Sequence, residues 1–128
     1  MNTATQTATQ TATLYDRLGQ HKGITNITRT MIDIHMANPL ISIRYVGSDM
    51  KKVEQRVIEF FCAGAGGPES YTGKDMVATH KGMNISEQEF VAVVDDAMAA
   101  LVTNGIDAAT RSDVLAILWS LKGEVVRV

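Results

Sequence analysis

Only one cysteine, Cys62, occurs in the 128 residues. No internal disulfide can therefore staple the fold, and a reducing cytoplasm is the expected setting. No basic run is present, and 12 Lys and Arg against 14 Asp and Glu leave a formal net charge of −2. That balance gives nucleic acid no electrostatic footprint to bind. Uncharged stretches such as Ala97 to Ile106 fall far short of the roughly 20 residues that a membrane helix needs, so no membrane partner is expected. Met1 to Thr13 lacks the basic start and apolar centre of a secretion signal. It repeats Thr, Ala and Gln, which predicts a disordered low-complexity tail over 1–13 and one domain over 14–128. No segment alternates convincingly as a strand.

What remains is an ordinary globular composition, 45% hydrophobic and 20% charged, enough for one real core. From Leu14 onward the apolar pattern is helical. Ile24, Ile27, Met31 and Ile34 follow one another at spacings of three and four within Gly23 to His35. Met50, Val53, Val57 and the pair Phe60-Phe61 do the same within Asp49 to Cys62. Both patterns put an apolar stripe on one helix face. Ser86-Glu87-Gln88-Glu89 is a capping box, opening a helix through Phe90, Val94, Ala97 and Leu101 that Asn104-Gly105 can end. Asp107 caps a last helix, in which Val114, Leu118, Leu121 and Val125 form one row. The predicted class is all-α.

Between the helices, Asn38-Pro39 predicts a turn and Tyr45 to Ser48 a connection. The longest irregular region is Gly64 to Gly73. A loop of that length in a small domain is usually functional or tied down; the plainer alternative is a flexible crossover.

The run Gly66-Gly67-Pro68-Glu69-Ser70-Tyr71-Thr72-Gly73-Lys74-Asp75-Met76, with His80 following, resembles the link between the E and F helices of group I truncated haemoglobins. The likeness continues without a gap from Leu14-Tyr15-Asp16-Arg17-Leu18-Gly19 into the last helix. It implies a shortened globin, a two-over-two helical sandwich around haem b (iron protoporphyrin IX), held non-covalently. No Cys-x-x-Cys-His motif for covalent attachment is present. Of His21, His35 and His80, the resemblance makes His80 the proximal iron ligand. The macrocycle would lie among Tyr45, Val57, Phe60, Phe61, Met76, Val93 and Leu118. Lys52, Arg56 and Lys81 are candidates for the propionates, with solvated surface charge as the alternative for each.

Three departures bear on function. The family's usual distal tyrosine and glutamine are replaced here by Ile32 and Val57. Val53, one turn before Val57, is also apolar, and the Gly-Gly pair after the first helix reads Gly19-Gln20. A lost hydrogen bond to a polar bound ligand costs about 1.5–3 kcal/mol, or on the order of ten- to a hundred-fold in escape rate. Tyr45, His35 and Arg56 are the side chains placed to compensate. The distal pocket is thus expected among Ile32, His35, Tyr45, Val53 and Val57.

The function implied is reversible binding of the diatomic gases O₂, CO or NO at ferrous iron, for storage, transport or sensing. The alternative is an NO dioxygenase or peroxidase-type enzyme that converts NO to nitrate with an external reductase. A third class, a helical protein that has lost haem and works through its surface, fits poorly with the retention of His80 and its apolar neighbours.

Overall fold

Side-chain caps start most of the helices. Thr13, Asn38, Asp49, Asp75, Ser86 and Asp107 each accept a hydrogen bond from a backbone N–H in the first turn that follows, satisfying a donor the helix cannot. The computed structural model describes residues 12–128. In chain order the helices are α1 (Leu14–Arg17), α2 (Gln20–Ala37), α3 (Pro39–Ser42), α4 (Met50–Gly64), α5 (Met76–His80), α6 (Glu87–Thr103), α7 (Ala108–Ser120) and α8 (Lys122–Val125). A 3₁₀ turn, Ile43–Tyr45, follows α3. Among the described residues there is no strand. The expected tail lies outside the described residues except for its last two positions, and Thr13 there is the cap of α1.

The four long helices α2, α4, α6 and α7 form the two-over-two sandwich. Helix α2 packs against both α4 and α6, and α6 against α7. Ile24, Ile27 and Met31 of α2 meet Ile58 and Cys62 of α4, Ala97, Ala100 and Leu101 of α6, and Val114 of α7 in one buried cluster. A second cluster joins Ile85, Phe90, Val94 and Val125. Leu118 packs against both clusters.

Two elements differ from the sequence expectation. Asn38-Pro39 opens a short helix, because the Asn38 side chain accepts from the Leu40 N–H and proline suits a first helical turn. The last helix is broken at Leu121, so its expected single row is divided between α7 and α8. The break lets Val125 turn into the second cluster.

At the α1–α2 corner, Gly19 has φ +89° and Gln20 φ +60°. The Gln20 side chain donates to Asp16 Oδ1 at 3.0 Å. A Cβ on Gly23 would lie 2.1 Å from the Leu18 carbonyl oxygen, so the close approach of the two helices requires glycine there.

Candidate functional site

His80 is the last residue of α5, a five-residue helix opened by Asp75, whose carboxylate accepts from the Ala78 N–H at 2.7 Å. The His80 imidazole is half-buried, and its Nδ1 donates to the Met76 carbonyl oxygen at 2.8 Å. That bond fixes the tautomer and leaves the Nε2 lone pair free to ligate. Helix α5 rests on α8. The chain around it is clasped by two backbone bonds, Gly82 N–H to Val128 O at 3.2 Å and Arg127 N–H to Ile85 O at 3.0 Å.

The apolar residues expected around a macrocycle come from four elements and the 3₁₀ turn. Val57 and Phe61 pack against the first cluster, Met76 against the second, and Leu118 against both. Phe60 meets Phe61 edge-on at 6.2 Å and Tyr71 at 5.4 Å between ring centroids. Ile32, Tyr45, Val53, Val57, Phe60, Phe61, Met76, Val93 and Leu118 are all half-buried, none of them fully covered by the chain itself. Apolar side chains that border the core without being closed over are what a flat, largely apolar prosthetic group needs. The residues present therefore fit a haem. Two small apolar cavities border this wall, sharing Leu18, Phe61 and Val114, and the second is also lined by Phe60 and Leu118.

Of the residues expected on the distal side, Ile32, Val53 and Val57 carry no hydrogen-bonding group. Tyr45 stacks on His35, with ring centroids 6.4 Å apart and planes 14° from parallel. Burial alone pushes the Tyr45 phenol above its ordinary value. His35 is 2% exposed, and its Nδ1 lies 2.7 Å from Oδ2 of the buried Asp96 on α6. One nitrogen of that imidazole is thus engaged within the core. Sequence reading missed Asp96. The available signal was a carboxylate two residues after Val94 on a helix of apolar register, a position that needs a polar partner.

The cations divide. Lys52 and Lys81 are exposed. Arg56 Nη1 donates to Thr72 Oγ1 at 2.7 Å and lies 3.5 Å from Glu59 Oε2. Thr72 in turn donates to Glu59 Oε1 through its N–H at 3.0 Å and its hydroxyl at 2.7 Å. Those bonds, the backbone one foremost, hold the Glu59 carboxyl below its usual range. The Tyr71 hydroxyl donates to the Lys74 carbonyl, and the Gly67 N–H to that of Cys62. The glycine-rich segment is therefore tied down along its length and is not a loose crossover.

Arg44 also escaped the sequence reading. It donates to both carboxylate oxygens of Glu89, at 2.6 and 2.9 Å, and to the Met83 carbonyl at 2.9 Å. It thereby joins the turn carrying Tyr45 to the capping box of α6 and to the segment after His80. These hydrogen bonds depress the Glu89 carboxyl to about 2.

The family model described as bacterial-like globin matches residues 13–127. A group 1 truncated haemoglobin, GlbN, of Mycolicibacterium paratuberculosis is 30% identical over 114 residues, covering 89% of this chain and 84% of the relative. Among solved structures, truncated haemoglobin of Tetrahymena pyriformis in its Fe(III) form superposes with a TM-score of 0.88. It is 22% identical and covers 91% of this chain and 100% of its own. The 2/2 haemoglobin of Synechococcus, solved in the cyanomet state with covalently attached haem, gives 0.81 at 20% identity, covering 88% and 95% of the two chains.

Proposed function

The chain belongs to the bacterial-like globin family, with the group 1 truncated haemoglobins as its relatives, and we propose that it holds haem b non-covalently through His80 and reversibly binds O₂, CO or NO. The observation that carries this reading is the His80 imidazole, tautomer-locked on Met76 at the edge of a half-buried apolar wall. Bound haem would supply a ferrous iron able to take a diatomic gas. The chain's own residues do the rest. Nε2 of His80 holds the proximal side, and the Met76 carbonyl raises its basicity by accepting from Nδ1. Tyr45, Phe60, Phe61, Met76, Val93 and Leu118 exclude water from the ring. Lys52 and Lys81 are free to meet the propionates, whereas Arg56 already braces the glycine-rich segment.

Ile32, Val53 and Val57 shield a distal ligand from water but donate nothing to it. That favours reversible binding with fast release, so ligand binding is preferred to the dioxygenase reading.

Spectroscopy tests the proposal directly. The haem-loaded chain is expected to show a Soret band that shifts between ferric, ferrous, O₂ and CO forms, with haem extractable by acid and organic solvent. Replacing His80 with Gly should abolish the axial nitrogen signature, and added imidazole should restore it. Spectra unchanged in His80→Gly would overturn the assignment.

A further inference from the structure

We propose that His21, Cys62 and Glu69 form a binding site for one zinc ion, separate from the haem ligand His80. His21 lies in the first turn of α2, Cys62 near the end of α4 and Glu69 in the glycine-rich segment. One donor atom from each, nitrogen, sulfur and oxygen, falls within 4.8 Å of the other two. His21 Nδ1 is 2.9 Å from Glu69 Oε2 and 3.9 Å from Cys62 Sγ. Around a tetrahedral zinc, with bonds of about 2.0–2.3 Å, such donors stand roughly 3.3–3.6 Å apart. Each of those two pairs is within about half an ångström of that spacing.

An independent feature of the cluster points to a cation. Glu69 Oε1 is buried and has no hydrogen-bond partner, a costly state for a carboxylate oxygen that a zinc taken by both oxygens of the carboxylate would relieve. Its sister Oε2 is already held by the Tyr15 hydroxyl at 2.9 Å, and that hydroxyl accepts the His21 backbone N–H at 3.1 Å. Such outer contacts orient a metal ligand. A Cβ on Gly67 would lie 2.5 Å from the Tyr15 ring and 2.7 Å from Glu69 Oε1, so the segment closes over the cluster only because this residue is glycine. The thiol is fully buried, while the His21 side chain is 60% exposed, which gives an ion an entry from solvent and leaves room for a water as fourth ligand.

The donor chemistry selects the ion. A thiol and an imidazole suit zinc and exclude calcium and magnesium, which demand oxygen. Without a cation the thiol stays protonated, since burial, with the charge of Glu69 beside it, pushes it up to about 12. On binding, the Cys62 S–H bond breaks, its proton leaves to solvent and the sulfur lone pair bonds the zinc. Nδ1–H of neutral His21, which faces Glu69 Oε2 in the ion-free chain, gives its proton to solvent while Nε2 takes one up, and the freed Nδ1 lone pair bonds the zinc. Thiolate and carboxylate then balance the two positive charges of the ion.

Zinc titration of the untagged full chain tests the site, by calorimetry against a competing chelator. One ion per chain should bind, with close to one proton released, read from the dependence of the heat on buffer ionisation. His21→Asn, at an exposed position that does not threaten folding, should weaken binding by about tenfold or more, as should Cys62→Ser and Glu69→Gln. Cadmium in place of zinc should give a thiolate charge-transfer band that Cys62→Ser abolishes. Absence of saturable binding, or binding indifferent to both His21→Asn and Cys62→Ser, would reduce the cluster to a hydrogen-bonded lock and overturn the proposal.

Discussion

Gln20 stands in a left-handed conformation at φ +60°, where a side chain costs roughly 1–2 kcal/mol and glycine does not. Its hydrogen bond to Asp16 offsets part of that strain. Gln20→Gly is therefore expected to raise stability by about 0.5 kcal/mol, while Gln20→Val lowers it by about 1 kcal/mol or more; urea midpoints of the two variants check the sign. The distal residues allow a second test at the same scale. If Ile32 and Val57 leave a bound ligand without a donor, Ile32→Tyr with Val57→Gln should slow O₂ release about tenfold or more. Tyr45→Phe should speed release only if the Tyr45 hydroxyl has taken over as donor. His35→Leu probes the other candidate, and it also strands the buried Asp96 carboxylate, a loss of about 3–5 kcal/mol. Stopped-flow O₂ dissociation rates, read beside the melting temperature of each variant, separate ligand control from folding. Slow release in the parent chain that neither substitution alters would sink the apolar distal pocket.

Among the elements, α6 depends most visibly on one carboxylate. Glu89 receives two hydrogen bonds from Arg44 and one from the Ser86 N–H, and its carboxyl lies at about 2 in the folded chain. In the unfolded chain it titrates near 4.3. A depressed folded value contributes stability above the unfolded value and loses it as pH falls from about 4.5 toward 2. Glu89→Gln should cost about 1–2 kcal/mol at neutral pH, the partly exposed Arg44 partner being screened by solvent, and flatten the acid limb of stability in that window; an unchanged limb would rule this contribution out. The capping box itself was legible in the sequence because Ser86 and Glu89 are three residues apart and the apolar stripe begins beside them. The same locality made Asp49 and Asp107 readable as helix starts, and the glycine-rich run ending at His80 as a distinct segment. Arg44 and Glu89 are 45 residues apart, and His35 and Asp96 are 61 apart. Pairs like these depend on the packing of α2 and α3 against α6, which no local pattern encodes. The break at Leu121 was illegible for the same reason: the apolar row continues through it, and only the second cluster rewards the turn.

Across the whole molecule, the residue proposed to hold iron depends on the far end of the chain. Helix α5 has five residues and none is buried, so it cannot persist by propensity. Its support is α8, the backbone bonds from Gly82 to Val128 and from Arg127 to Ile85, and the Val125 side chain in the cluster with Ile85, Phe90 and Val94. The first cluster, built from α2, α4, α6 and α7, does not draw on this segment. Removing residues 124–128 should therefore keep most of the helicity by circular dichroism while freeing α5. Transfer of haem to an acceptor globin is then expected to accelerate by about tenfold or more, since an untethered axial ligand gives up the entropy advantage of being held in place. Val125→Ala is the milder form of the same experiment. It opens a gap in the second cluster at a cost of about 2 kcal/mol and should raise the transfer rate by less than the deletion does. Amide exchange at His80 should quicken in the same order, ahead of exchange in α2. If both variants release haem at the parent rate, α5 is held by the glycine-rich segment alone, and the clasp between the C-terminal segment and residues 82–85 plays no part in holding the proximal ligand.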